Sequence, residues 1–492
     1  MNNLYQDFDY AIIGAGPTGL TIAYYLNKYG KKCILIDKND DIGGCHRVNR
    51  IDELFVEHGP RVYSDAYVNF RQLLKEWNYN FYDLFIKYDF QISNIGGKSI
   101  QRLNFREITL FILEFIKLII GIHSSKFISL KEFLDKNKFS DNAKDYLDRV
   151  CRLTDGAASD RTSLFQFLQL INQNTFYNLY QPSEPNDKLL FKIWKEKLNN
   201  MPIYLNTLVS KINISSHNSD KFIDSITLKM NNGSFDLKAK KYIFCIPPKP
   251  YYDLIYPLLN YDENLKLKEI VNNNSYINDI PIIFHWNQKI NLNKIWGLSE
   301  SDWGIAFIVL SNYMNFEDNR SKTVISTCIT RLDSISKYTN KTANQTNDKY
   351  QLIDEVFRQL KLSYPDLPPP TYSILNPGVY RLNNQWIETD TAFVSTKFQQ
   401  YINNNEFISL KNINNLNYVG THNGNSNYYF TTLESAVQNA LYFLNKDLNI
   451  KISIKKPLEL ISIIRFILLI IIIIVIYKSK FYLKKNKNSI QN

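Results

Sequence analysis

The chain is poor in everything that metal and disulfide chemistry need. Its five cysteines (Cys33, Cys45, Cys151, Cys245, Cys328) are widely spaced and form no C-x-x-C pair. That argues against a disulfide framework and fits reducing surroundings. The six histidines are as scattered, with no H-x-x-H and no His/Cys pair at ligand spacing, so no metal site is expected. No secretory signal stands ahead of the first strand, so nothing points to export. A basic surface is also missing from the body of the chain. From Lys451 onward nine basic residues face one acid, Glu459, so this tail carries +8 of the net +11 and the other 450 residues carry only +3. A nucleic-acid partner needs basic residues clustered on the fold itself, and none is expected.

What is present begins with Asp9-Tyr-Ala-Ile-Ile-Gly14-Ala15-Gly16-Pro-Thr18-Gly19. The short apolar run Tyr10 to Ile13 reads as a buried parallel strand. Gly14 permits a tight turn, Gly16 lets backbone approach a pyrophosphate, and Gly19 lets the next helix pack close to the strand. The positive end of that helix then faces the anion. A second strand, Lys32 to Ile36, ends in Asp37, 18 residues after Gly19, where a carboxylate accepts the ribose hydroxyls of an adenosine. Two further glycine sites follow in order, Gly43-Gly44 and Gly59-Pro60. Each alone is an ordinary turn signal, but three behind a dinucleotide turn are not.

At 492 residues two domains are expected. From Asp65 to about Lys192 the pattern turns mostly helical. Within it Ile108 to Ile122 is strongly apolar, broken by Thr109, Glu114, Lys117 and Gly121. It reads either as a core helix of a second domain or as a helix lying on a membrane surface. Pro281 to Trp286 and Ile305 to Leu310 read as strands, in which His285 and the nearby Trp303 read as packing residues. Thr431 and Glu434 stand at capping-box spacing ahead of an apolar helix. Ile461 to Tyr477 is almost unbroken apolar sequence, long enough to span a bilayer, with Arg465 near one end where it can snorkel. Basic residues flank both sides and leave orientation open. The simplest arrangement is a single-pass C-terminal anchor with the rest of the chain facing the cytosol.

Gly14-Ala-Gly-Pro-Thr-Gly19, Ile42-Gly-Gly44 and Glu57-His-Gly-Pro-Arg61 together resemble the flavin family of monoamine oxidases, protoporphyrinogen oxidases and phytoene desaturases. Leu416 to Thr421 and Tyr428 to Leu441 resemble that family's closing strand and helix. The resemblance implies an α/β protein with a Rossmann-like FAD-binding domain assembled from residues 1–65, 195–250 and 395–450. It further implies a helical insertion at 66–194, a mixed α+β substrate region at 251–394, a transmembrane anchor at 458–477 and a basic tail at 478–492. FAD contacts carried over from it are Gly14, Ala15, Gly16, Thr18, Gly19, Asp37, Gly43, Gly44, Arg47, Gly59, Pro60, Arg61, Val209, Gly420, Thr421, Leu433, Glu434 and Ala436. Arg47 stands two places beyond the family's usual arginine. Thr432 stands where amine oxidases carry an aromatic-cage tyrosine, for which Tyr428 and Tyr429 are the substitutes at hand. No flavin-linking cysteine is near this end, so FAD is expected to be noncovalent.

The implied activity is hydride transfer from a C–N or C–C unit to flavin, with Arg61 as candidate catalytic residue and a small, lipid-soluble substrate. A second glycine fingerprint for NAD(P)H is missing. Two other classes share the fold: a sugar-ring mutase, which needs two arginines for a nucleotide diphosphate, and flavin-free escort proteins, which lack the cofactor glycines.

Overall fold

The computed structural model describes residues 8–89, 102–217, 220–273, 275–276, 278–295, 297, 300–389, 393–394 and 413–490. Part of the segment assigned to the third nucleotide-binding piece, 395–412, lies outside the described residues, as does the end of the basic tail. The centre is a parallel sheet whose strands come from distant parts of the chain: β1 (Phe8–Ile13), β2 (Cys33–Ile36), β3 (Ile203–Tyr204), β4 (Ala239–Phe244) and β5 (Leu416–Tyr418). Their spatial order is β5-β4-β1-β2-β3. Tyr10 to Ile13 pairs with Cys33 to Ile36 on one side and Lys241 to Phe244 on the other. All four residues of β2 are buried, as expected of a strand covered on both faces.

One face is covered by helices α1 (Pro17–Lys28), α2 (Val68–Glu76) and α6 (Leu433–Asp447). In α6, Val437, Ala440, Leu441 and Leu444 recur at helical spacing and join Leu20, Ala23 and Leu26 of α1 in one core. Phe70, Leu73 and Leu74 of α2, Phe81 to Phe85, and Phe191 and Trp194 belong to the same core. This core therefore runs across the boundaries expected at 65/66 and 194/195. The other face is covered by an antiparallel meander running from Leu208 to Leu237 and by Tyr251 and Ile255 of the helix Pro248–Ile255. This core likewise continues past residue 250.

A separate helical unit contains α3 (Phe105–Ile119), α4 (Asp141–Asp155) and α5 (Leu164–Asn174) around its own core. A second sheet, antiparallel, orders Ile305–Val309, Thr323–Ile329, Ile280–Trp286 and Tyr372–Leu375. Ile280, Ile282, Phe284, Ile325 and Ile329 point into a core shared with the helix Lys349–Leu360. Ile283, Ile308 and Val324 point the other way, onto the hairpin formed by Val48–Ile51 and Leu54–Glu57. His285 and Trp303 are wholly buried. The imidazole of His285 bridges Ser321 Oγ and the Phe55 carbonyl at 3.0 Å each, and Trp303 Nε1 donates to the Lys341 carbonyl. Both are packing residues, as their setting in the sequence suggests.

The helical unit is clamped to this second sheet by ion pairs. Arg331 reaches Asp145 (2.5 Å) and Asp148 (2.8 Å), while Arg149 and Arg152 pair with the same two acids along α4. The chain ends in α7 (Leu460–Ile490), of which Leu460–Lys480 is the one helix among the described residues long and apolar enough to cross a membrane. It begins two residues later than the sequence suggests.

Candidate cofactor and reaction site

The first glycine turn is built by close backbone contacts. Gly14 has φ +105°, donates its N–H to the Ile36 carbonyl, and lies so near the Cys245 carbonyl that a Cβ would stand 2.5 Å from its oxygen. A Cβ on Gly19 would stand 1.9 Å from the Gly14 carbonyl oxygen, so α1 sits directly on the turn. Gly16 faces Gly44 with no side chain between them: a Cβ on Gly44 would lie 3.0 Å from the Gly16 Cα. The Gly43 N–H donates to the Ala15 carbonyl, which fixes the double-glycine loop to the turn. The N-terminus of α1 has no capping side chain and no acid in its first turn. Its positive end is left for an anion.

Asp37 is buried, and its carboxylate accepts the N–H groups of Ala15 (2.6 Å) and Asn39 (2.8 Å). Desolvation raises its pKa against those bonds and the nearby Arg47. Arg47 also lies 3.6 Å from Asp40, so its charge belongs to the same end of the cradle as Asp37. The strand carrying Val209 passes this point, with Thr207 N–H on the Asp37 carbonyl. Val209 follows two residues later, in register with Leu228 and with its side chain in the core.

The far end of the chain meets the near end here. Parallel strand β5 adjoins β4, which adjoins β1, so Gly420 and Gly14 lie at the same edge of one sheet. Thr18 Oγ1 donates to the Ala436 carbonyl at 3.2 Å, a bond across 418 residues. Gly420 is extended, with φ 175°, and its lack of a Cβ makes room for the His422 ring, which stacks on Tyr418. The helix start differs from expectation in two ways. The capping box is Thr432 with Ser435, rather than Thr431 with Glu434. The Glu434 side chain turns instead to the start of α2, accepting from Asn69 N, Asn69 Nδ2 (2.6 Å) and Phe70 N (2.9 Å). Those donors hold it away from the cradle, so its assignment as a cofactor contact is corrected to a structural one for the side chain. Burial still pushes its pKa up to about 7. Tyr428 and Tyr429 are also taken up in packing: Tyr428 donates to Asn174 Oδ1, and Tyr429 meets Phe165 edge-on.

Beyond the double glycine, Arg61 is half-buried, donates from Nη2 to the Cys45 carbonyl (2.5 Å), and is anchored through its own carbonyl by Gln181. It stands among acids that no local spacing reveals. Glu57, on the same hairpin exit, is buried beside Ser326, and burial raises its pKa to about 7. Asp279, ahead of the second sheet, is raised to about 7 by the same cause, offset by Arg152 and Arg61 and by a bond to Cys328. His58 Nε2 lies 3.1 Å from Glu388 Oε2, both buried. A Cβ on Gly59 would lie 3.8 Å from Cys328 Sγ, so the Gly-Pro-Arg segment is pressed directly against the second sheet. Burial and the neighbouring acids hold the Cys328 thiol well above its usual range. Three carboxyl groups, one imidazole and one guanidinium thus share a buried space where Gly59 meets the antiparallel sheet. Glu57 and His58 sit inside a segment that sequence reasoning singled out only for Gly59 to Arg61. Asp279, Cys328 and Glu388 come from three other segments and give no sequence signal.

Comparison with known proteins agrees with this geometry. Residues 12–77 match the family of NAD(P)-binding Rossmann-like domains. Wild-type putrescine oxidase bound to putrescine superposes with a TM-score of 0.62 over 90% of this chain and 100% of its own, at 15% identity. The fold is that of putrescine oxidase. A putative protoporphyrinogen oxidase from Exiguobacterium sp. 255-15 has the same oxidase fold, with a TM-score of 0.58 over 89% of this chain and 98% of its own, also at 15% identity. In sequence, the chain is 30% identical over 117 residues to UDP-galactopyranose mutase from Mycoplasma genitalium, a match that spans 20% of this chain and 28% of that protein. The glycine cradle thus sits in the fold that these structures share, with a second sheet and an acid cluster against it.

Proposed function

We propose that the protein is a membrane-anchored FAD-dependent oxidoreductase that takes a hydride from a substrate C–N or C–C unit. The observation that carries this reading is the Thr18 to Ala436 bond: both glycine-bearing ends of the chain meet at the carboxyl end of one parallel sheet. The residues there fit a dinucleotide, through an uncapped helix N-terminus, a side-chain-free gap between Gly16 and Gly44, and a buried carboxylate at Asp37. FAD, when bound, supplies the two-electron acceptor. Gly14, Ala15, Gly16, Thr18 and Gly19 would hold its pyrophosphate, Asp37 and Arg47 the adenosine side, and Gly43, Gly44, Gly59, Pro60, Gly420, Thr421, Leu433 and Ala436 the remainder. Val209 would meet the adenine.

The chain's own contribution is electrostatic. The Arg61 guanidinium keeps its charge, supported by Glu57 and Glu388, and its bond to Cys45 fixes where that charge stands. Glu57 and Asp279 titrate near neutrality, so each can take up a proton at working pH. With Glu57 and Asp279 ionised, as they are above about pH 7, three carboxylates stand against one guanidinium and one imidazole, and the cluster favours a cationic amine over an anionic substrate. The apolar α7 anchors the catalytic region to a membrane, in keeping with a lipid-soluble substrate.

The test uses the full chain in detergent. A yellow protein with an oxidised-flavin spectrum, bleached under anaerobic conditions by members of an amine panel, supports the reading. Colourless protein that cannot be loaded with FAD would sink it in favour of an escort role. The match to UDP-galactopyranose mutase favours one alternative, a flavin-dependent sugar mutase. Arg149, Arg152 and Arg331, the arginines clustered in the helical unit and second sheet, are however ion-paired with Asp145 and Asp148. Bleaching by amines and no turnover of nucleotide sugars decides between the two.

A further inference from the structure

Helix α3 is apolar on its inner side and along one stripe of its outer side, and only the inner side is buried. Its inner side chains Phe111, Phe115 and Leu118 pack into the helical unit. Its outer stripe, Ile112 (51% exposed), Leu113 (49%), Ile116 (45%) and Ile120 (66%), faces outward, and Ile122 and Phe127 continue it. A helix of that kind in water leaves a contiguous apolar strip uncovered, which marks an interaction surface. The sequence left two readings of this helix open, core or membrane surface. The structure buries one side of it and leaves the other exposed.

The position of α7 identifies what covers the strip. Ile461 at its start is buried in the same core as Leu118, its N–H on Asn172 Oδ1. Four residues on, Arg465 donates from Nε and Nη2 to the carbonyls of Ile119 (2.7 Å) and Leu118 (2.6 Å), at the C-terminal end of α3. The unbroken apolar run of α7, Phe466 to Ile476, begins at the next residue. A bilayer that receives this run has its boundary at Arg465, and so at the end of α3 that Arg465 holds. Ile171 and Phe176, at and just beyond the end of α5, are exposed close to the same root, where Tyr177 Oη accepts the Leu458 N–H. Lys455 and Lys456 are exposed just ahead of α7, charges that suit anionic headgroups, while Lys117 on α3 is paired with Glu114.

We propose that α3 is an interfacial helix, its Ile112–Ile120 stripe dipped into the headgroup boundary of the bilayer that α7 crosses. The body is then held at two places, so that it lies on the membrane in one fixed attitude instead of swinging on a single stalk. The proposal rests on α7 being a span, and the test separates the two. Full-length protein carrying Ile116→Cys, Ile471→Cys or Ile335→Cys is labelled with an environment-sensitive fluorophore. It is then reconstituted into vesicles of phosphatidylcholine with a minority of phosphatidylserine and nitroxide-bearing lipid. Wild-type labelling corrects for the native thiols. Ile335 is exposed elsewhere, beyond the second sheet. Expected is quenching at residue 116 several-fold above that at 335 and in the range of residue 471. Quenching at 471 with 116 behaving like 335 overturns the proposal, as does blue-shifted but unquenched emission at 116, the mark of a second protein copy on that face. No quenching at 471 overturns the span and the proposal together.

Discussion

The glycine cradle and the acid cluster adjoin one another but are made in opposite ways. The cradle is almost entirely backbone: Gly14, Gly16, Gly19 and Gly44 matter for the side chains they lack, and Asp37 is held by two main-chain N–H groups. The cluster is almost entirely side chain, with Glu57, His58, Asp279, Cys328 and Glu388 carried by four segments and placed by packing between domains. Backbone shape tolerates no addition. Buried charge tolerates no change of protonation without a free-energy cost.

Substitutions at each site sharpen that contrast. The largest effect is expected at Gly19→Val, where the new side chain meets the Gly14 carbonyl. FAD affinity, read by flavin absorbance after gel filtration, falls by about 100-fold or more, as overpacking by about 3 kcal/mol implies. Retention of normal flavin content would break the reading of the cradle as a backbone device.

Next is Glu57→Gln. Burial raises this carboxyl from 4.5 to about 7, so its contribution to stability is fully present below the unfolded-state pKa and is lost as pH rises through about 7. The sum is about 3 kcal/mol at most. Glutamine, which imitates the protonated form, removes the loss. The variant's melting temperature therefore gains on wild type by several degrees between pH 5 and pH 8, and a pH-independent difference would show that the carboxyl does not titrate in the fold.

Glu434→Ala serves as the contrast within the same pKa range. It strips the acceptor from Asn69 and Phe70 and lowers stability by about 2 kcal/mol, seen in denaturant melts, with flavin content and spectrum unchanged. A lost flavin band would return Glu434 to the cofactor side. The smallest effect is at Arg465→Ala, which removes two bonds to carbonyls at the end of α3. It costs about 1 kcal/mol, with protease nicking near residue 120 as the sensitive readout.

The sequence displays what is local and hides what is not. Gly14 to Asp37 is legible because strand, turn, helix and carboxylate follow one another at fixed spacing. The close of the site is legible only as a strand followed by a helix. Thr431 and Thr432 are adjacent and equally suited to cap it, and the choice falls on Thr432 because Glu434 is drawn to α2, some 365 residues away. The cores cross the expected domain boundaries for a related reason. Phe70, Leu73 and Leu74 have the pattern of any amphipathic helix, and nothing along the chain says that their partner is α1 and not α4. The acid cluster is the extreme case, since its members share only a place.

The sheet order also sets a timetable. The edge of β4 that faces β5 stays open until residues 416–418 exist, 172 residues after Phe244. At 5–20 residues per second that is roughly 10–30 s of synthesis. An unpaired apolar strand edge of that kind invites pairing with other chains. The nascent protein therefore passes through a long interval in which its parallel sheet is one strand short, and the long apolar helix α7 emerges only just after the missing strand arrives.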